Sequence, residues 1–183
     1  IDKSWSFHLD LQLRADRNIG RLRDLHVRPG FEYAFDQNWA VAAGYVQFTR
    51  YQPGLRPSRG PFQDILYRTR IDGLPIAGRL RWEELFFDNG SVLVRNRALA
   101  GVRIPLGGTP WELALSNEVF INVGLDSPSR QAGFAQNRIF SGIGHPLAPR
   151  AKASIGSELD PFRTSNRFRN EHNIKYNILF SLN

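Results

Sequence analysis

The sequence predicts an all-β fold: one antiparallel up-and-down transmembrane β-barrel of about ten strands over residues 1–183, a single domain with a polar, charged lumen. Three observations predict it. Segment after segment alternates apolar with polar residues, the spacing at which successive strand side chains point to opposite faces. Long polar connections mostly alternate with short turns, the central Asp88-Asn89-Gly90 turn being the one short member of the long set, as the loops and periplasmic turns of outer-membrane barrels do. The polar faces also carry both signs of charge, so they can pair with one another once enclosed.

Composition narrows the classes. The chain is 42% hydrophobic, 22% charged, with a mean hydropathy of −0.36. It has no run of about 18 apolar residues, which excludes membrane-spanning helices. A barrel escapes that test, because only alternate residues touch lipid. The absence of cysteine excludes disulfides, zinc thiolates and a thiol nucleophile. The net charge of +7 and pI near 10.4 would suit nucleic acid. However, many of the arginines sit at alternate positions on separate segments rather than in one run, which argues against a nucleic-acid partner. The sequence opens at Ile1 with neither an initiator methionine nor a leader, as a mature exported chain would.

Strand one, Ser4 to Arg14, sets Trp5, Phe7, Leu9, Leu11 and Leu13 against Ser6, His8, Asp10, Gln12 and Arg14. After the polar loop 15–20, Leu25, Val27, Pro29, Phe31, Tyr33 and Phe35 oppose Asp24, His26, Arg28, Gly30, Glu32 and Ala34. Pro29 cannot donate to a ladder and predicts a bulge or irregular pairing. Asp36-Gln37-Asn38 is a turn. Strand three has Trp39, Val41, Ala43 and Tyr45 on one face and the small Ala40, Ala42 and Gly44 on the other, where they leave room for long arginines. The loop 52–61 precedes strand four, in which Ile65, Tyr67, Thr69 and Ile71 oppose Asp64, Arg68 and Arg70; the turn is Asp72-Gly73-Leu74-Pro75.

The hairpin from Ile76 to Ile104 organises the chain. Gly78, Leu80 and Trp82 share one face and Arg79, Arg81 and Glu83 the other. In its second arm Val92, Val94, Ala98, Ala100, Val102 and Ile104 oppose Arg95, Arg97 and Arg103, with Glu84 and Asn96 misplaced on the apolar side. Asn89-Gly90 predicts a type I′ turn. Past Gly107-Gly108-Thr109-Pro110, strand seven places Trp111, Leu113, Leu115, Val119 and Ile121 against Glu112, Ala114, Ser116 and Glu118. After the loop 124–133, Ala135, Ile139 and Ile143 oppose Gln136, Arg138 and Phe140, and the HPLAP segment from His145 turns the chain. Strand nine runs from Ala151 to about Asp160, with Ile155 and Leu159 against Lys152, Ser154 and Glu158. The loop 161–170 leads to strand ten: Ile174, Tyr176, Ile178, Phe180 and Leu182 against Asn173, Lys175, Asn177 and Ser181.

A soluble barrel would invert the faces. The loop asymmetry, strands of about ten residues and the aromatics Trp5, Trp39, Tyr45, Trp82, Phe86, Trp111 and Phe180 near strand ends favour lipid outside. The elements AAGYVQF, RTRIDG with GRLRWEE, VRNRALAGVRIPL, ALSNEVFIN and FAQNRIFSGIG, from about Gly30 to Gly144, resemble the domain-of-unknown-function 2490 (DUF2490) family of Gram-negative outer-membrane proteins. The resemblance implies a bacterial outer-membrane barrel and carries over no catalytic residues. The ending Phe180-Ser181-Leu182-Asn183 departs from the terminal aromatic of an outer-membrane strand signal.

The expected lumenal cluster is Arg79, Arg81, Glu83, Arg95, Arg97, Glu118 and Arg138. Its first reading is a structural plug of paired charges, and its second an anion-binding or anion-conducting lumen. His8, His26, His145 and His172 show no metal-ligand spacing, so neither metal nor cofactor is expected. Ser116, Ser141, Ser154 or Ser157 beside His145 or His172 would be needed for hydrolysis, and no spacing supports that, so a non-enzymatic barrel is expected, with an enzyme acting on lipid at the rim as the third reading. Glu158 and Asp160 form a carboxylate pair at a strand end that could serve acid-base chemistry, though such a pair is more often solvated or neutralised by a cation such as Arg163. The expected surroundings are outer-membrane lipid and lipopolysaccharide. The expected role is structural or accessory, docking a protein partner of a larger envelope complex through the extracellular loops.

Overall fold

Ten strands form from the ten alternating segments: β1 Trp5–Asp16, β2 Arg21–Ala34, β3 Trp39–Arg50, β4 Ser58–Ile71, β5 Leu74–Phe87, β6 Val92–Pro105, β7 Glu112–Leu125, β8 Gly133–Ala148, β9 Ala151–Arg163 and β10 Phe168–Leu182. This computed structural model describes residues 4–16, 21–51, 57–125, 132–163 and 168–182. Each strand pairs antiparallel with its chain neighbours, and β1 pairs with β10 from Phe7↔Leu182 to Ala15↔Ile174, so the sheet closes without an edge.

The polar row lies inside. Arg28, Arg81, Glu83, Arg97 and Glu158 are at most 4% exposed, whereas Phe31 is 60% and Leu80 59% exposed. That inversion of the usual burial order is what hydrocarbon outside and a closed lumen inside require. One end of the wall carries an aromatic belt. Trp5 packs on Tyr33 with centroids 4.9 Å apart, Trp39 on Tyr67 at 4.7 Å, and Trp111 on His145 at 4.4 Å. Trp82 is not part of a belt. It stands within the wall, five residues from the end of β5, and lines an outer groove of about 690 Å³ with Phe31, Val41, Ile65, Leu80 and Asn96.

Inner-wall glycines let aromatic rings lie close against the wall. A Cβ on Gly44 would meet the Phe62 ring at 2.6 Å and Gly30 Cα at 2.8 Å. On the far side, a Cβ on Gly142 would meet Phe140 at 2.6 Å and Gly156 Cα at 2.8 Å. The Phe140 ring thus covers both Gly142 and Gly156, while Phe62 covers Gly44 and His8 lies over Gly30.

Three local expectations need correction, and a fourth is decided between its two alternatives. The type I′ turn is at Asp72-Gly73, where φ is 50° and 79°, not at Asn89-Gly90. Asp72 is the only non-glycine residue with positive φ among those described, and Ile71 pairs directly with Leu74. At Asp88–Ser91 only Gly90 has positive φ (81°); its N–H donates to the Phe87 carbonyl at 2.9 Å, a type I turn closed by a left-handed glycine. Of the two expectations at Pro29, irregular pairing is what the structure shows and a bulge is not: the β2–β3 ladder skips Arg28 and Pro29 but resumes in the same register, Val27↔Gln47 and Gly30↔Gly44. Strand pairing also invades the predicted loops, since Ser58–Pro61, Gly124, Leu125, Pro161–Arg163 and Phe168–Asn170 are all strand. HPLAP likewise belongs mostly to β8, which continues to Ala148 through a register shift at Pro146. What remains of the long loops, residues 17–20, 52–56, 126–131 and 164–167, lies outside the described residues, as do the side chains of Arg163 and Phe180.

Candidate functional site

The lumen is built from every second residue of facing strands, so its chemistry follows from register. Arg81 on β5 stands opposite Asp64 on β4 and opposite Arg97 on β6. It gives two parallel bonds to Asp64, Nε and Nη2 each 2.7 Å from a carboxylate oxygen, while its guanidinium stacks on Phe62 at 3.9 Å. Two like charges in register on β5 and β6 would repel, so each turns to an acid on another strand. Arg97 donates to Glu118 on β7 at 2.9 Å and to Glu83 on β5 at 3.1 Å.

Five residues of the expected cluster make one chain of contacts. Arg79 bonds Glu118 at 2.6 Å, Glu118 holds Arg97, Arg97 holds Glu83, and Glu83 accepts from Arg95. Arg138 joins them through an aromatic ring. Its guanidinium lies 4.3 Å from the Phe120 centroid, with Arg97 at 4.7 Å and Arg95 at 5.1 Å. All three guanidiniums lie within the roughly 6 Å over which a ring quadrupole attracts a cation. Arg81 remains in the Asp64–Phe62 group, beside the chain but not bonded into it.

A second network occupies β1, β2, β9 and β10. Arg14 pairs with Glu158 at 2.9 Å and approaches Asp24 at 3.7 Å, and Lys175 approaches Glu158 at 3.4 Å. Arg28 donates to Asp10 at 2.7 Å and to His26 Nδ1 at 2.9 Å; His26 Nε2 lies 2.6 Å from Asp24. Glu158 and Asp160 are therefore not solvated. Both are 1% exposed, and Asp160 pairs with Arg138 at 3.3 Å and accepts from Gln136. The cations that neutralise them are Arg14, Lys175 and Arg138, on other strands. Towards the long-loop end the interior turns apolar, with Val46, Phe48, Phe62, Leu85, Phe87 and Leu93 in one buried cluster.

Inward Phe48, Phe62 and Phe120 are what the reading by polarity missed. Strict alternation from Ala42, Asp64 and Glu118 would have put each of them on the lumenal side. The remaining candidates separate. No group of three metal-ligating side chains occurs among the described residues. Ser116 and Ser154 share strand parity with the lumenal Glu118 and Glu158, and His145 stacks on Trp111 at the belt. Ser157 and His172 meet across β9 and β10 in a side-chain hydrogen bond, with Ser141 in register with Ser157 on β8.

A family model described as "Protein of unknown function (DUF2490)" matches residues 1–167. No curated protein matches the sequence. Among solved structures, LpxR from Salmonella typhimurium aligns with a TM-score of 0.55 at 9% identity, covering 98% of this chain and 85% of that one. The anion-selective porin from Comamonas acidovorans aligns with a TM-score of 0.47 at 13% identity, covering 86% of this chain and 49% of that one. Neisserial surface protein A aligns with a TM-score of 0.36 at 9% identity, covering 97% of both chains. The likeness to LpxR is one of fold, and it matches an outer-membrane barrel of the Gram-negative envelope.

Proposed function

This chain belongs to the DUF2490 family, and we propose that it is a closed outer-membrane barrel whose lumen is a structural plug and whose work is done on its outside. The observation that carries this reading is the pair of buried networks on the inner wall: the contact chain from Arg79 through Glu118, Arg97 and Glu83 to Arg95 on β5, β6 and β7, which meets Arg138 of β8 on the Phe120 ring, and the Arg14–Glu158–Lys175 group on β1, β9 and β10. Buried charges persist only when paired, and here each acid holds at least one guanidinium while the rings fill the space between. The apolar cluster around Phe48 and Leu85 supports the same conclusion at the other end. The role is structural or accessory. The wall contacts lipid and lipopolysaccharide, and the extracellular loops dock a protein partner of the envelope.

Planar-bilayer recording of the purified barrel tests the plug. A closed lumen gives no stable conductance steps in 1 M salt. Steps that are anion-selective and shrink in Arg95→Glu or Arg97→Glu would instead make the same residues the lining of an anion channel.

A further inference from the structure

We infer that Ser157 and His172 form a nucleophile and general-base pair on the lipid-facing wall, and that they cleave acyl esters of outer-leaflet lipid. Ser157 Oγ and His172 Nε2 share a hydrogen bond between neighbouring strands. Strand parity sends both outward. Ile155 and Leu159, two residues either side of Ser157, are 46% and 40% exposed, while Glu158 and Asn173, the next residues along from Ser157 and His172, are 1% and 2% exposed. Ser141, also exposed, lies opposite Ser157 on β8. The three groups make a polar patch among Ile139, Ile143, Ile155 and Leu159, on a surface where polar side chains are costly and tend to mark function.

The chemistry follows from the contact. A hydroxyl becomes a nucleophile when an imidazole nitrogen can take its proton, and acceptance at Nε2 leaves the ring proton on Nδ1. Ser157 Oγ adds to the ester carbonyl carbon as its proton passes to His172 Nε2. The ester C–O bond then breaks, and the leaving alkoxide takes that proton, giving an acyl-serine and a free alcohol. Water adds to the acyl-serine, its proton passing to His172 and on to Ser157 Oγ as the fatty acid leaves. The Ser141 hydroxyl is the side-chain donor placed beside the carbonyl oxygen, where negative charge develops.

Depth supports an ester substrate. His172 is four residues below Phe168, the long-loop end of β10. At about 3.3 Å per residue and a tilt near 40°, that is about 10 Å below the strand end, a few ångström inside an apolar band about 25 Å tall. Acyl ester carbonyls lie at that boundary. Among the described side chains no carboxylate bonds Nδ1, so this is a dyad, and turnover should trail a full triad by orders of magnitude.

The test uses the full chain, refolded in detergent and checked by its heat-modifiable gel migration. A fluorophosphonate probe and p-nitrophenyl butyrate report the nucleophile, and fatty-acid release from phosphatidylethanolamine vesicles or from lipopolysaccharide separates the two lipid sources. The expected result is labelling and hydrolysis by the wild type, lost at least about 100-fold in Ser157→Ala and in His172→Gln, with Ser141→Ala keeping the label but turning over more slowly. Folded wild type that neither labels nor hydrolyses above Ser157→Ala overturns the inference, as does labelling that persists in Ser157→Ala. Because the readout is covalent, it is independent of whether the lumen conducts.

Discussion

Replacing Arg97 by methionine probes the plug where most contacts converge. Arg97 is 4% exposed, lies 3.1 Å from Glu83 and 2.8 Å from Glu118, and covers Phe120. Removing one partner of a buried ion pair costs about 3–5 kcal/mol, because the remaining charge stays buried. Here two carboxylates lose a partner, but each keeps another: Arg95 on Glu83 and Arg79 on Glu118. The lower end applies, about 3 kcal/mol, including about 0.5–1 kcal/mol for the lost ring contact. Glu118→Gln keeps the shape and should cost about 2 kcal/mol. The double variant should cost less than the sum by about 1–2 kcal/mol, since the second change removes the charge that the first left unpaired. Equilibrium urea unfolding in phospholipid vesicles, followed by fluorescence of the four tryptophans, measures all three. Costs under about 0.5 kcal/mol with no coupling would mean that water solvates these carboxylates, and the plug would be refuted.

Other substitutions test the local geometry. Gly142→Val should block refolding, because a Cβ there meets the Ile155 carbonyl and the Gly156 Cα of the neighbouring strand as well as the Phe140 ring, and Phe140→Ala should not restore it; gel migration reports both. At the two glycine turns, Gly73→Ala and Gly90→Ala should each cost about 1 kcal/mol in urea unfolding, both being left-handed. Asp72→Gly should cost nothing, whereas Asn89→Gly should destabilise, since Asn89 has no positive φ and its side-chain oxygen accepts from the Ser91 hydroxyl at 2.8 Å. Phe120→Leu should lower stability by about 1–2 kcal/mol, because three guanidiniums lose a π face while the volume is largely kept.

The barrel was legible in the sequence because period-two alternation carries both the strand and its orientation. Leu80 faces out and Arg81 in for the same reason, and one residue of slip would have reversed both. The inward parity of the charged row was legible too, although parity did not show that Arg81 would sit with Asp64 and Phe62 rather than in the Arg79–Arg95 contact chain. Partner choice was not. That Arg97 bridges Glu83 and Glu118 while Arg81 turns to Asp64 depends on register between strands, which hairpin turns set and composition does not. The turns themselves were half legible: Asn-Gly and Asp-Gly both promised left-handed backbone, and only the latter uses it at both positions. Phe48, Phe62 and Phe120 were left unassigned by sorting on polarity, where parity governs. Ser157 and His172 are 15 residues apart in the chain and adjacent only because β9 and β10 pair in this register.

The lipid-facing assignment of Leu80 can be measured directly, because the chain has no native cysteine. Single cysteines at positions 80 and 94 on the apolar row, and at 81 and 97 on the charged row, would each carry a bimane label in vesicles containing brominated phospholipid. Strong quenching at 80 and 94 with little at 81 and 97 is the predicted pattern. Quenching at 81 and 97 with none at 80 and 94 would turn the barrel inside out.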